Sequence, residues 1–253
     1  MIRLTPFAVP ALALLWALLT GSGPAEAIIN GKPVTVQDWY APAVVGLALT
    51  TDKGRHGECT GTLLSARVVL TAAHCVHEVK SIDVVFDLTI EGTRKVAVSR
   101  FVAHPDFVYT EKPISAAADL AILYLPAYDF ATKAVPLDSD LAFGSGQQFT
   151  IVGIGRSDPI KRRSAGVMRK AAFATTGEDR PGEVSLEPIG DAWVCSGDSG
   201  GPVLRKDWKG NYAIAGVMSA VGSGPRGECL TAAYMVPIHT YAQWIEARVG
   251  EKQ

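Results

Sequence analysis

The chain has 253 residues, 24 basic and 25 acidic, for a net charge of −1. That balance supplies no global field for nucleic acid or an anionic membrane, so neither is expected as a partner. Twenty-five glycines and fifteen prolines among dispersed strand formers point to many short elements joined by turns. The length suits one large all-β domain or two small ones, with a core that needs no metal.

Residues 1–27 carry the pattern of a signal peptide. Arg3 gives a basic start, Leu12 to Leu19 form the apolar stretch, and Gly21-Ser-Gly-Pro24 breaks it before Ala25-Glu-Ala27. The apolar run is shorter than the roughly 20 residues a spanning helix needs, so no stable membrane anchor is expected. The expected destination is the secreted or periplasmic space.

From Ile28 onward the pattern is of strands. Val44–Leu49 is apolar and Thr51–Glu58 is a polar hairpin tip. A second hairpin spans Thr62–Ser65 and Val68–Thr71, followed by strands at Ile82–Phe86, Lys95–Val102 and Leu120–Leu125. A connecting segment runs from Tyr128 to Phe143. Strands then recur at Gln148–Gly153, Val167–Thr175, Val184–Leu186, Pro202–Leu204, Tyr212–Ser219 and Ala232–Val236. After Pro237, apolar residues at Ile238, Tyr241, Ala242, Ile245 and Val249 follow a helical period, with Gly250 as the stop.

Chemistry concentrates in Cys195-Ser-Gly-Asp-Ser-Gly-Gly-Pro202. A turn this rich in glycine lets backbone approach another molecule closely, and it can present a serine hydroxyl beside free N–H groups. A serine nucleophile needs a base, and the base needs an orienting acid. Upstream, Thr71-Ala-Ala-His-Cys75 supplies a histidine and Asp119-Leu-Ala-Ile-Leu123 an aspartate. His56, His77, His104 and His239 lie in polar or turn-like settings without a motif and are expected to face solvent.

Together these motifs, in the order His, Asp, Ser, resemble the chymotrypsin-type (trypsin-like) serine endopeptidases. The resemblance covers nearly all of the chain after residue 27. It implies two six-stranded antiparallel β-barrels, about 28–135 and about 136–253, with the active site between them and a C-terminal helix. His74, Asp119 and Ser199 are the implied catalytic residues, and Gly197 and Ser199 the implied oxyanion-hole donors. Four cysteines allow three pairings; the resemblance selects Cys59–Cys75 and Cys195–Cys229. It also implies an activation ion pair between a new N-terminus at Ile28 and Asp198, because Ile28-Ile-Asn-Gly31 directly follows the expected cleavage after Ala27.

Specificity is where the chain departs from familiar members. The position two before Cys195, the pocket base in this family, holds Trp193, followed by Val194; Asp191 lies two residues too early. Ser219 and Val221 are the other implied substrate-binding residues, with Gly222 an alternative for the front wall. No carboxylate falls in register to pair with a cation, so small or medium apolar residues are the expected preference. Lys161-Arg-Arg163 reads as a charged solvated loop. Protein or peptide substrates and a proteinaceous inhibitor are the expected partners, with no cofactor and no metal, although Glu78, Asp83, Asp87 and Glu91 leave a weak case for calcium. The alternatives are a catalytically silent binding module on the same fold, or a narrow regulatory protease or esterase with an occluded pocket.

Overall fold

The computed structural model describes residues 28–108, 117–138, 143–158, 164–177, 180–222, 229 and 232–251. The expected signal peptide and the basic run at 161–163 fall outside these residues. The first half contributes strands β1 (Lys32–Pro33), β2 (Val44–Thr51), β3 (His56–Ser65), β4 (Val68–Thr71), β5 (Val79–Val85), β6 (Lys95–Ala97), β7 (Arg100–Ala103) and β8 (Ala121–Tyr124). The second contributes β9 (Gln148–Gly153), β10 (Arg169–Thr175), β11 (Val184–Pro188), β12 (Pro202–Lys206), β13 (Tyr212–Val221), β14 (Ala233–Pro237) and helix α1 (Ile238–Val249).

The second set closes into a barrel. Its order is β10-β11-β14-β13-β12-β9, with β9 returning to pair with β10, and β1 adds to the outside of β10. Closure leaves no free edge in that ring. The first set is a curled sheet in the order β6-β5-β2-β3-β4-β8-β7. The stretch expected as one strand, Lys95–Val102, is divided here between the two edges of that sheet. Val98 N–H donates to the Ile82 carbonyl (2.9 Å) and the next residue, Ser99, donates to the Tyr124 carbonyl (2.9 Å). The chain therefore passes from the β5 side to the β8 side at a corner, which breaks the ladder for one step. Apart from these details the observed fold is the expected one.

Fully buried strands explain themselves in sequence: Val-Val-Leu-Thr in β4 and Ala-Ile-Leu-Tyr in β8 are apolar on both faces. A large core joins the curled sheet to α1 through Ile238 and Ile245, and a second fills the barrel around Ile28, Phe149, Phe173 and Met235. Helix α1 starts after Pro237 and ends at Gly250, whose N–H reaches the Glu246 carbonyl. Two histidines depart from expectation. His239 is half-buried, its ring centre 5.3 Å from that of Phe143. His104 is buried rather than solvent-facing, packed edge-on against Tyr241 with ring centres 5.0 Å apart and beside Trp244. A helix at the far end of the described chain covers it, which a local polar setting could not reveal.

Candidate active site

His74 sits in a single 3-10 turn, Ala73–Val76, directly after β4. Ala72 and Ala73 are fully buried, so only side chains this small let the turn lie on the sheet. The Cys59–Cys75 disulfide ties that turn back to β3. Asp119 stands just before β8, fully buried, and receives three hydrogen bonds. The His74 backbone N–H donates to Oδ1 (2.8 Å), His74 Nδ1–H donates to Oδ2 (2.7 Å), and the Ser219 hydroxyl donates to Oδ2 (2.8 Å). The first two fix both the place and the tautomer of the imidazole. Next to Asp119, Ala118 holds φ at +56°, a strained value for a residue with a Cβ. A bond from its N–H to the Tyr241 hydroxyl (3.1 Å) braces it from α1.

Burial alone would hold His74 below its ordinary value. The Asp119 charge and hydrogen bond, with a further contribution from Glu183, outweigh that and raise it. Glu183 had no motif to mark it. It is 2% exposed, in the turn before β11.

Ser199 comes to the same place from the barrel. Its turn packs onto the His74 stretch: Ser199 carbonyl oxygen lies 3.8 Å from Cys75 Sγ, which is itself 3.7 Å from His74 Nε2. No hydrogen bond joins Ser199 Oγ to the imidazole among the described residues; such contacts commonly tighten only with substrate bound. Gly197 has φ +101°, and a Cβ there would meet Gly155 Cα at 2.7 Å. Only glycine fits.

Among the described residues, neither Gly197 N–H nor Ser199 N–H is engaged in a hydrogen bond, yet both are oriented. A planar peptide carries its C=O and N–H in opposite directions, so holding one aims the other. The Ser196 carbonyl accepts from Arg156 N–H (2.9 Å), which directs Gly197 N–H; the Asp198 carbonyl accepts from Gly201 N–H (3.0 Å), which directs Ser199 N–H. The Cys195–Cys229 disulfide closes the start of this turn.

Asp198 is fully buried and receives two backbone N–H groups, Gly155 to Oδ1 (2.8 Å) and Cys195 to Oδ2 (2.8 Å). Burial outweighs these two bonds and pushes its carboxyl up to about 7. Ile28 is fully buried in the barrel core with Val194, and Ile29 forms a two-bond antiparallel bridge with Trp193, each bond 2.9 Å. Ile28 holds φ at +45°, an outlier for a β-branched residue.

The expected pocket residues separate into two groups. Trp193 and Val221 are both half-buried and pack with Ile29 against the Cys195–Cys229 disulfide. Ser219 is buried on Asp119. Val194, by contrast, points into the barrel core. Asp191 is exposed and lines a cavity with Asn30, Lys32 and Lys170.

This fold has many counterparts. The sequence profile of the trypsin family, described as Trypsin, matches residues 28–245. Collagenase of Hypoderma lineatum is 26% identical over 83% of both chains. Bovine chymotrypsin-like elastase family member 1 is 25% identical over 88% of this chain and 90% of its own length. Among solved structures, HL collagenase superposes with a TM-score of 0.72 at 23% identity, covering 89% of this chain and all of that one (100%). Mouse neuropsin, a serine protease, gives 0.69 at 23% identity, covering 88% of this chain and 100% of its own. The chain belongs to the trypsin family. Its relatives are trypsin-like serine proteases with the chymotrypsin fold.

Proposed function

We propose that this chain is an exported serine endopeptidase working through Ser199, His74 and Asp119. The observation that carries the reading is the chain of hydrogen bonds from Ser219 through Asp119 to His74, set beside a serine turn with two oriented, unengaged N–H groups. Ser199 Oγ attacks the peptide carbonyl carbon while His74 Nε2 takes its proton. Negative charge then develops on the carbonyl oxygen, where Gly197 N–H and Ser199 N–H receive it. As the C–N bond breaks, His74 returns the proton to the departing amine and leaves an acyl-enzyme; a water repeats the cycle to release the acid. Asp119 stays ionised and stabilises the imidazolium.

Signal cleavage after Ala27 would also activate the chain. The cut abolishes the strained φ at Ile28, a relief of about 1–3 kcal/mol, and creates an ammonium on the element already bridged to Trp193. Its charge would answer that of buried Asp198 and order the turn carrying Gly197. In the pocket, Trp193 and Val221 present apolar surface, which favours small or medium apolar residues over Arg or Lys. A partly desolvated cation there would lack a carboxylate.

Covalent labelling tests the reading. A fluorophosphonate should modify the mature protein once, at Ser199, and Ser199→Ala should abolish labelling. Labelling that survives in that variant would place the nucleophile elsewhere. Profiling on a peptide library addresses the pocket, where a dominant Arg or Lys preference would contradict the apolar assignment.

A further inference from the structure

Thr60 is the point at which the curled sheet grips the serine turn. It follows Cys59 in β3 and is completely buried. Its backbone N–H donates to the Ser199 carbonyl at 2.8 Å. Its hydroxyl donates to the Gly197 carbonyl at 2.8 Å and accepts from Ile154 N–H at 3.1 Å. Its own carbonyl accepts the Thr71 hydroxyl at 2.8 Å, so the gripping residue is itself held by the strand that leads to His74.

These bonds fall on particular peptides. The Gly197–Asp198 peptide is fixed at both ends, its carbonyl by the Thr60 hydroxyl and its N–H by the Cys195 carbonyl (3.0 Å). The Ser199–Gly200 peptide is likewise fixed, by Thr60 N–H and by the Met218 carbonyl (2.7 Å). Between them lies the peptide that carries the unengaged Ser199 N–H, and just before them the one that carries Gly197 N–H. The hydroxyl also takes in the segment whose next residue, Gly155, donates to Asp198. One side chain thus ties together the glycine that bears one free N–H, the stretch that backs the buried aspartate, and the strand before His74.

We infer that Thr60 is a positioning residue for the oxyanion-binding turn, its hydroxyl locking the Gly197–Asp198 peptide that joins the two peptides presenting the unengaged N–H groups. Glycine has the widest backbone freedom of any residue, and at +101° nothing in Gly197 itself holds that φ. Release of its carbonyl would loosen the 197–198 peptide, the link between the peptide aimed by Arg156 and the one aimed by Gly201, and the two N–H groups would lose their common aim. The effect belongs to the transition state, because charge appears on the carbonyl oxygen only there.

The inference rests on the serine-protease reading, and one probe separates the two. The rate of fluorophosphonate labelling is resolved into a saturation constant and a maximal rate, kinact, for wild type, Thr60→Val and Thr60→Ser. Thr60→Val keeps shape and the backbone bond to Ser199 but removes the hydroxyl. Its kinact should fall about 10-fold or more, the scale of one weakened oxyanion donor, with the saturation constant within about threefold. Thr60→Ser should restore kinact. A purely structural Thr60 would lower the melting temperature of Thr60→Val and leave kinact of the folded protein unchanged, which overturns the inference. Should Thr60→Val not fold, Thr60→Ala carries the same comparison with Thr60→Ser, and equal kinact in those two likewise overturns it. Failure of wild type to label at all would instead overturn the protease reading.

Discussion

Two aspartates, one behind His74 in the curled sheet and one inside the serine turn of the barrel, are equally buried and differently answered. Asp119 accepts three hydrogen bonds, two of them from His74, which can share its charge as imidazolium. Asp198 accepts two backbone N–H groups, and among the described residues no cation pairs with it. Two neutral donors do not offset complete desolvation, which is why Asp198 is held up to about 7. The contrast divides the site into a half complete in the chain as it stands and a half that awaits a charge. The base side is built by strands, a disulfide and small residues. On the nucleophile side one more positive group is wanted, and the new N-terminus at Ile28 is our candidate.

The strongest test of that division removes charge at Asp119. Asp119→Asn keeps the shape but leaves His74 without the acceptor that sets its tautomer, and kcat should drop about 10⁴-fold. The fold should survive, because the disulfide and strand contacts remain. A variant with near wild-type kcat would mean that Asp119 does not orient the base.

Next in size is the pH dependence of an N-terminally extended chain. In a variant with one extra Ala before Ile28, built on Ser199→Ala to prevent self-cleavage, Asp198 keeps its present surroundings. Its carboxyl then titrates from 3.8 unfolded to about 7 folded. A raised folded value favours the protonated native state, so its contribution is complete below the unfolded value and disappears as pH rises through the folded one. Between about pH 5 and pH 8 the extended chain should lose about 2–3 kcal/mol in urea unfolding. The chain beginning at Ile28 should lose less, because its ammonium stabilises ionised Asp198. Identical pH profiles would remove the ion pair from the account.

The base side was also the easier half to read from sequence. His74 and Asp119 stand in short motifs whose neighbours are small or strand-forming for local reasons, and Ser199 sits in a glycine pattern that few other purposes require. Most strand positions followed from apolar runs; the polar β1 and the start of β3 at His56–Glu58 did not, and at residues 98–99 a corner of the curled sheet leaves no mark in composition. Thr60, Glu183 and His104 were not legible. Each acquires its surroundings from elements far away in the chain: Thr60 from residues 154, 197 and 199, and His104 from α1. Val194 shows the same limit in reverse. Its place beside Cys195 suggested the pocket, while its side chain points into the barrel core.

The smallest expected effect concerns Glu183, a third buried acid. The Ser219 hydroxyl near it donates its proton to Asp119. Burial raises its pKa and so does the Asp119 charge, against the Ser219 hydroxyl, Arg180 and His74, which favour the ionised form. The Glu183 charge also reaches Tyr241 on α1, where it helps to raise the phenol after burial and Asp106. For His74 the balance runs the other way: Asp119 and then Glu183 overcome burial and favour imidazolium. In the mechanism we propose, His74 must be neutral to take the proton, so the rate should fall on the acid side as the imidazole gains its proton. Removing the Glu183 charge makes that proton easier to lose, and the acid limb should move to lower pH. In Glu183→Gln the midpoint of fluorophosphonate labelling against pH should shift down, while Glu183→Asp should stay near wild type. An upward shift would mean that Glu183 acts on His74 by something other than charge.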